Sequence, residues 1–222
     1  MVQSALLNKY SETEHFFLEK EDMLNSAKFT ALQRMVCIPD QIHSDKVIYL
    51  KKFTEKKHQG DGLITDKKIY LGVYTADCLP ILFFETRNKT IAAVHAGWRG
   101  LLNGIIFNTI EYMSRMGSDK KRIIVAVGPH IRKCCYEISA ELADKFFTKY
   151  KYLHKKSGSK AKLKAGEHFS LTDVALSQLK YASIPSENID SLNICTSCNT
   201  KFYSYRRDNN KSGRMLNTIG LI

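Results

Sequence analysis

Three apolar runs of strand length lie close together in the middle of the chain and constrain its fold most strongly. They occupy residues 69–75, 81–84 and 91–95. Each run is too short for a membrane-spanning helix and lacks the polar alternation of a half-exposed strand, so each predicts a strand covered on both faces. A sheet covered on both faces needs further layers, which the rest of the chain must supply.

The remaining apolar patterns predict helices and further strands around this centre. One helix is predicted by apolar residues at helical spacing and a glycine suited to end it: Leu102, Ile105, Ile106, Ile110, Met113 and Gly117. Ser139 and Ser170 can cap two more helices. Short strands are predicted at residues 15–18, 35–38, 47–50, 122–127, 189–194 and 215–222. The alternation predicts an α/β fold, a single layered domain over residues 1–222 with one mixed β-sheet flanked by helices.

The basic excess is the unusual feature of the composition. The 222 residues include 34 Lys and Arg against 22 Asp and Glu, a formal net charge of +12. Such an excess favours an anionic partner. However, the lysines form scattered pairs and one run at residues 149–164, predicted to be an exposed connection, without the interleaved aromatic residues of a nucleic-acid surface. We therefore do not expect nucleic acid as the partner.

The chain shows no targeting pattern and no membrane span. Its N-terminus lacks the basic-then-apolar order of a signal peptide, and Asp77 and Pro80 interrupt its longest apolar stretch. We expect a cytoplasmic protein without a membrane partner, and a homo-oligomer is left open. Six cysteines in such a chain are expected as thiols or metal ligands. For Cys195 and Cys198, which have C-x-x-C spacing, ordinary thiols are favoured over a metal or redox pair.

Three potential metal ligands lie at the ends of predicted strands. His43 lies in the sequence QIHS, Cys78 in ADCLP and His95 in HAGWRG. Two imidazoles and a thiolate suit Zn²⁺, and three protein ligands leave the fourth tetrahedral position open, as in catalytic sites. Their separations match no local zinc motif, so hydrogen-bonded histidines and a buried thiol remain a competing interpretation.

The same residues also allow a metal-free mechanism. Cys78 could act as a nucleophile with His95 as its base, and Asp77 or Asp61 could orient that base. A bound metal would use the same thiolate, so the two hypotheses compete for one sulfur atom.

Several further segments occur in one order with these ligands. They are DGLIT at 61–65, ADCLP at 76–80, HAGWRG at 95–100, GPHI at 128–131, CYE at 135–137, CT at 195–196, FYSYRRD at 202–208 and GR at 213–214. Together they resemble the purine nucleoside phosphorylase family long labelled multicopper polyphenol oxidase, or laccase-domain, proteins. The resemblance covers about residues 41–222, so the family's longer N-terminal part is expected to be shortened. The family's QxHG and GPCI are QIHS and GPHI here.

The resemblance implies an enzyme with a catalytic zinc held by His43, Cys78 and His95. It implies phosphorolysis of adenosine, inosine and S-methyl-5'-thioadenosine, and deamination of adenosine, so the expected partners are purine nucleosides and inorganic phosphate. The alternatives are a Cu²⁺-dependent polyphenol oxidase, since copper also accepts thiolate and imidazole ligands, and a non-catalytic metal-binding protein. Seven histidines are too few for a convincing set of copper centres.

The remaining candidates have roles in proton transfer and substrate binding. Zinc-dependent deamination needs a carboxylate to move a proton, and Asp61 and Asp77 are the candidates, although Asp77 could instead support its neighbouring ligand. Arginine suits phosphate, which favours Arg99 and then Arg206 or Arg207. Trp98 could stack on a purine or serve as a core anchor.

Overall fold

The computed structural model describes residues 1–24, 26–157 and 168–222. The strands within them are β1 (Thr13–Phe17), β2 (Val36–Cys37), β3 (Val47–Tyr49), β4 (Gly62–Thr65), β5 (Tyr70–Thr75), β6 (Leu79–Glu85), β7 (Thr90–Ala96), β8 (Ile123–Val127), β9 (Ile189–Ser191) and β10 (Met215–Leu221). The α-helices within them are α1 (Lys20–Leu24), α2 (Ser26–Met35), α3 (Trp98–Asn103), α4 (Ile105–Arg115), α5 (Ala140–Ser157), α6 (Leu171–Tyr181) and α7 (Tyr205–Asp208).

The strands form two mixed sheets. The larger has the order β3-β4-β7-β6-β8-β9, with antiparallel pairs at its centre and a parallel pair at each end. The smaller has the order β1-β10-β5-β2. The predicted α/β class and mixed strand directions are confirmed, but the strands divide between two sheets. The division occurs at residues 76–78, where the chain leaves β5 of one sheet and enters β6 of the other.

Both faces of the larger sheet are buried, as the apolar runs predict. Alternate residues of β6 belong to two different clusters of buried apolar side chains. Ile81 and Phe83 pack against the helices, whereas Leu82 and Phe84 pack against the smaller sheet. This alternation follows from the two-residue period of a strand. The larger sheet is therefore a central layer, with helices α3, α4 and α6 on one face and the smaller sheet on the other.

The helix predicted through Met113 is interrupted. Helix α3 ends at Gly104, which has φ 98°, and α4 begins at the next residue. A left-handed backbone favours glycine. The carbonyl of Leu101, near the end of α3, accepts hydrogen bonds from the Tyr150 hydroxyl (2.8 Å) and the Gln178 side-chain amide (2.9 Å). These bonds from α5 and α6 stabilise the interrupted helix end.

Other local predictions have mixed outcomes. Ser139 and Ser170 accept the expected capping bonds from the backbone N–H groups of Leu142 and Asp173. The N-terminal part contains helices α1 and α2 besides its predicted strand. The predicted connection at residues 149–164 is wrong in its first part, which belongs to α5, and its remainder lies outside the described residues. That residues 1–222 form one domain stays a prediction. Among the helices that the structure describes, none could cross a membrane.

We predict that a buried histidine makes folding stability depend on pH. The Ser4 backbone N–H donates to His15 Nε2 (2.7 Å), and burial lowers the pKa of His15 to about 4, although Asp190 and Glu14 oppose the shift. Its contribution is complete above the unfolded pKa of about 6.5 and is lost as the pH falls from there to about 4, a loss of roughly 2 kcal/mol.

The measurement is the free energy of unfolding from denaturant titrations between pH 7.5 and pH 4. The matched variant is His15→Gln, which keeps a hydrogen-bond acceptor but removes the titration. We expect a shallower loss of stability in this variant, and identical pH profiles for both proteins would contradict the prediction.

Candidate metal centre and cavity

His43, Cys78 and His95 meet where the two sheets diverge. Cys78 directly precedes β6 and His95 lies near the end of β7, and the antiparallel register pairs Pro80 with His95. The sheet therefore brings together residues that are distant in sequence. His43 approaches from the loop before β3. The potential ligand atoms of the three side chains all lie within 4.8 Å of one another.

The ligand atoms of these three residues are close enough together to hold a metal ion. A Cβ atom at Gly97 would lie 3.1 Å from Cys78 Sγ, 3.3 Å from His43 Cδ2 and 3.7 Å from His95 Cε1. Glycine at this position therefore lets the backbone approach the three ligands closely. Two imidazoles and one thiolate form a set typical of catalytic Zn²⁺. The set also suits copper, so the residues alone do not specify the metal.

Asp61 lies behind the ligands and is fully buried. Its Oδ1 is 2.7 Å from His95 Nδ1 and accepts from the His43 backbone N–H (3.0 Å). Its Oδ2 accepts from the Ser44 N–H (2.6 Å) and hydroxyl (2.8 Å). Burial raises the pKa of Asp61, but the bonds from His95 and Ser44 outweigh it and lower the pKa. This carboxylate orients the His95 imidazole, fixes the His43 backbone and does not line the cavity, so the geometry favours a supporting role over proton transfer.

The ligand set favours the thiolate form of Cys78. Burial raises the pKa of this thiol, but the facing imidazoles of His95 and His43 outweigh the effect and bring it to about 6. Burial also lowers the pKa of His95, whereas Cys78 and Asp61 raise it to about 9. The thiolate is the form that binds metals and that acts as a nucleophile. The contacts from Asp61 to His95 to Cys78 therefore also match the metal-free hypothesis, and the second imidazole of His43 favours the metal.

Asp77 forms hydrogen bonds that hold the C-terminal segment against the turn between β5 and β6. It has φ 84°, in the left-handed region where a non-glycine residue is uncommon. Its Oδ1 accepts from the Thr196 hydroxyl (2.6 Å), and its Oδ2 accepts from the Ser204 hydroxyl (3.1 Å) and the Arg206 N–H (2.7 Å). Both oxygens are therefore occupied. Asp77 lines the cavity, but the geometry favours a positioning role over proton transfer.

The three potential ligands open into a cavity of about 700 Å³. The cavity is lined by Ile38, Pro39, Asp40, Gln41, His43, Lys57, Tyr74, Thr75, Ala76, Asp77, Cys78, His95, Trp98, Arg99, Ile131, Tyr136, Tyr205, Arg206 and Arg214. Four of these residues are cationic and several are aromatic. A volume of this size can hold a small organic ligand.

Arg99 is the cavity arginine best placed to meet an anion. Its guanidinium carbon lies 4.5 Å from the ring centroid of Trp98, and its side chain is exposed. Among the described residues, no carboxylate forms an ion pair with it. Trp98 is partly buried and contributes to the cavity wall while it packs against the core. Both predicted interpretations of Trp98 therefore describe part of its environment.

The two C-terminal arginines differ in their contacts. Arg206 lines the cavity, and its guanidinium donates to the carbonyls of Cys135 (3.4 Å) and Glu137 (3.0 Å). Arg207 is held by Asp208 and by the carbonyls of Thr196, Ser197 and Phe202, so its donors are already used. We therefore drop Arg207 as a phosphate candidate.

Several cavity residues were missed by sequence reasoning. Arg214 lies in the GR segment that was noted only as part of the resemblance, and Lys57 is one of a lysine pair assigned to the solvent. Tyr136, in contrast, was expected either to close the sheet edge or to line the pocket, and it adds an aromatic wall to the cavity. Lys57 carries no local signal that distinguishes it from other surface lysines, because only the fold brings it to the cavity.

Known proteins that are similar to this chain identify its family. Residues 13–222 match the family model described as multi-copper polyphenol oxidoreductase laccase. A purine nucleoside phosphorylase of Clostridium acetobutylicum is 37% identical, over 81% of this chain and 74% of that protein. One of Aquifex aeolicus is also 37% identical, over 88% of this chain and 86% of that protein.

Solved structures share the fold. Bacillus licheniformis hypothetical protein YfiH has a TM-score of 0.75 and 30% identity, and covers 84% of this chain and 74% of its own. Neisseria meningitidis protein NMB0706 has a TM-score of 0.75 and 28% identity, and the match covers 87% of this chain and 79% of that protein. The family match begins at residue 13, well before the start of the resemblance at residue 41. The chain therefore belongs to the laccase-domain family, whose curated relatives carry the name purine nucleoside phosphorylase.

Proposed function

We propose that this protein is a zinc-dependent purine nucleoside phosphorylase. Its substrates would be adenosine, inosine and S-methyl-5'-thioadenosine, and it would also deaminate adenosine. The observation that carries the proposal is the opening of His43, Cys78 and His95 into one cavity with the exposed Arg99. The names of the relatives support the phosphorylase activity.

The cationic side of the cavity suits inorganic phosphate. Phosphorolysis breaks the bond between C1′ and the purine nitrogen and forms a bond from C1′ to a phosphate oxygen, so anionic phosphate must be held next to an electron-poor carbon. Arg99 has no hydrogen-bond or ion-pair partner among the described residues, so its donors could bind phosphate oxygens, and Arg206 and Arg214 add positive charge to the same cavity. Arg206 would contribute mainly charge, because two backbone carbonyls already hold its guanidinium.

The aromatic side of the cavity suits the nucleoside. Trp98 and Tyr136 offer flat apolar surfaces to a purine base, and the cation over Trp98 would place phosphate beside that base. A cavity of about 700 Å³ has room for both substrates together.

Zinc is the metal we propose for this centre. His43, Cys78 and His95 would hold it, and Asp61 would fix the imidazole of His95 and the backbone of His43. When bound, Zn²⁺ supplies Lewis acidity beside the substrate, which activates water for deamination. Copper-dependent phenol oxidation is the alternative suggested by the family's description. We also propose a cytoplasmic location, because none of the six cysteines forms a disulfide, as is usual in reducing compartments.

We predict phosphate-dependent release of hypoxanthine from inosine. Chelation should abolish this release and Zn²⁺ should restore it, and His95→Ala should lower it by about 100-fold or more because a metal ligand is lost. The measurement is chromatography of the purine base with and without phosphate, with ammonia release from adenosine as the deaminase assay. Activity that survives complete metal removal would instead support Cys78 as a nucleophile. Oxygen uptake with a phenol that requires copper would support the oxidase.

We predict that Arg99 determines the affinity for phosphate. Arg99→Gln removes charged donors, so the KM for phosphate should rise by roughly 10- to 100-fold while the KM for inosine changes little. The matched control is Arg115→Gln on helix α4, because Arg115 is exposed and does not line the cavity. Equal phosphate KM values for the parent protein and Arg99→Gln would rule out this assignment.

We predict that Asp61 controls metal affinity. Asp61→Asn replaces a carboxylate oxygen with an N–H₂ group that cannot accept from its present donors, so zinc affinity should fall by about 10- to 100-fold. The zinc concentration that restores activity to metal-free protein measures this effect. Ser44→Ala is the control, because it removes the hydroxyl bonds to Asp61 and Lys46 but keeps the backbone bond to Asp61, and it should have a smaller effect. An unchanged zinc requirement in Asp61→Asn would contradict the supporting role.

A further inference from the structure

Four cysteines form a second cluster outside the cavity. The sulfur atoms of Cys134, Cys135, Cys195 and Cys198 all lie within 4.8 Å of one another. The sequence showed only the C-x-x-C pair, because nothing local connects residues 195–198 with residues 134–135. Ordinary thiols at Cys195 and Cys198 stay a prediction, to which the structure adds that Cys134 and Cys135 lie beside them.

The backbone brings the two cysteine pairs together. His130 and Cys195 form a parallel bridge, in which the Thr196 N–H donates to the His130 carbonyl (3.0 Å). In the first turn, the Cys135 N–H donates to the Arg132 carbonyl (2.9 Å). In the second turn, the Asn199 N–H donates to the Cys195 carbonyl (3.0 Å). Each of these two hydrogen-bonded turns carries two cysteines, and the four sulfur atoms meet between the turns.

The sulfur distances suit a shared ion. Cys198 Sγ lies 3.5 Å from Cys134 Sγ and 3.2 Å from Cys135 Sγ. Four sulfurs at about 2.3 Å from a tetrahedral Zn²⁺ would be about 3.8 Å apart, whereas a disulfide requires about 2.05 Å. The Arg132 N–H also points at Cys195 Sγ (3.5 Å), and such a donor favours a thiolate.

We infer that Cys134, Cys135, Cys195 and Cys198 bind one Zn²⁺ as a closed, four-thiolate structural site. Four protein ligands leave no open position, in contrast to the three ligands in the cavity, so this ion would take no part in chemistry. The site is independent of the proposed function, because it shares no residue with His43, Cys78 and His95.

The position of this cluster gives the ion a structural task. Arg206 donates to the Cys135 carbonyl, and Arg207 donates to the carbonyls of Thr196 and Ser197, which lie between the last two cysteines. Tyr136 follows Cys135 directly and lines the cavity. The ion would therefore cross-link the two turns that support the cavity wall formed by Tyr136 and Arg206. Its loss should lower the stability of the protein.

The test is the zinc content of the purified protein, measured by elemental analysis under reducing conditions. The parent protein should contain about two zinc ions per chain, and Cys198→Ser and Cys134→Ser should each contain about one. Both side chains are exposed, so serine should be tolerated by the fold. Cys37→Ser is the matched control, because Cys37 belongs to neither cluster, and it should retain about two ions.

Cys78→Ser separates this proposal from the proposed function. This variant should lose the zinc ion of the cavity and keep the zinc ion of the four-cysteine cluster. Replacing the remaining zinc with Co²⁺ should give thiolate-to-cobalt charge-transfer bands, which identify the ligands as thiolates. A parent protein with one zinc that Cys78→Ser removes would overturn the four-cysteine site and leave the proposed function intact. Iron in place of zinc, or a disulfide among these cysteines in the protein as purified, would also overturn it.

Discussion

The buried carboxylate of Asp61 is the interaction on which the candidate metal centre depends. Four hydrogen-bonded partners converge on it, and they belong to the loop that carries His43 and to the strand that carries His95. A buried charge is costly unless it is fully paired, so these bonds and the fold around them stabilise one another. Two imidazoles from distant parts of the sequence are consequently held toward the Cys78 thiolate.

Asp77 has an equivalent role on the opposite side of Cys78. It holds the Thr196 turn and the start of α7, which brings Arg206 to the cavity. The two buried aspartates therefore determine the geometry from both sides, one through the ligands and the other through the cationic wall. Both oxygens of each carboxylate already accept hydrogen bonds, which favours a supporting role for these two acids, and their predicted role in proton transfer stays a prediction.

Sequence reasoning predicted the elements more reliably than their arrangement. The central strands follow from continuous apolar runs, and the caps at Ser139 and Ser170 follow from local side-chain chemistry. The division into two sheets depends on residues 76–78, where Asp77 adopts a left-handed backbone that no pattern indicates. The same limit applies to the sites. His43, Cys78 and His95 were proposed as a set from their ligand chemistry and from the family resemblance. Lys57 and the four-cysteine cluster, in contrast, arise only from contacts between segments that are distant in sequence.

A crystal structure of zinc-replete protein with bound phosphate, recorded at the zinc absorption edge, tests the central claim most directly. The account predicts an anomalous peak about 2.0 Å from an imidazole nitrogen of both His43 and His95 and about 2.3 Å from Cys78 Sγ, with phosphate beside Arg99. Protein that cleaves inosine but shows no anomalous peak among these three side chains would contradict it.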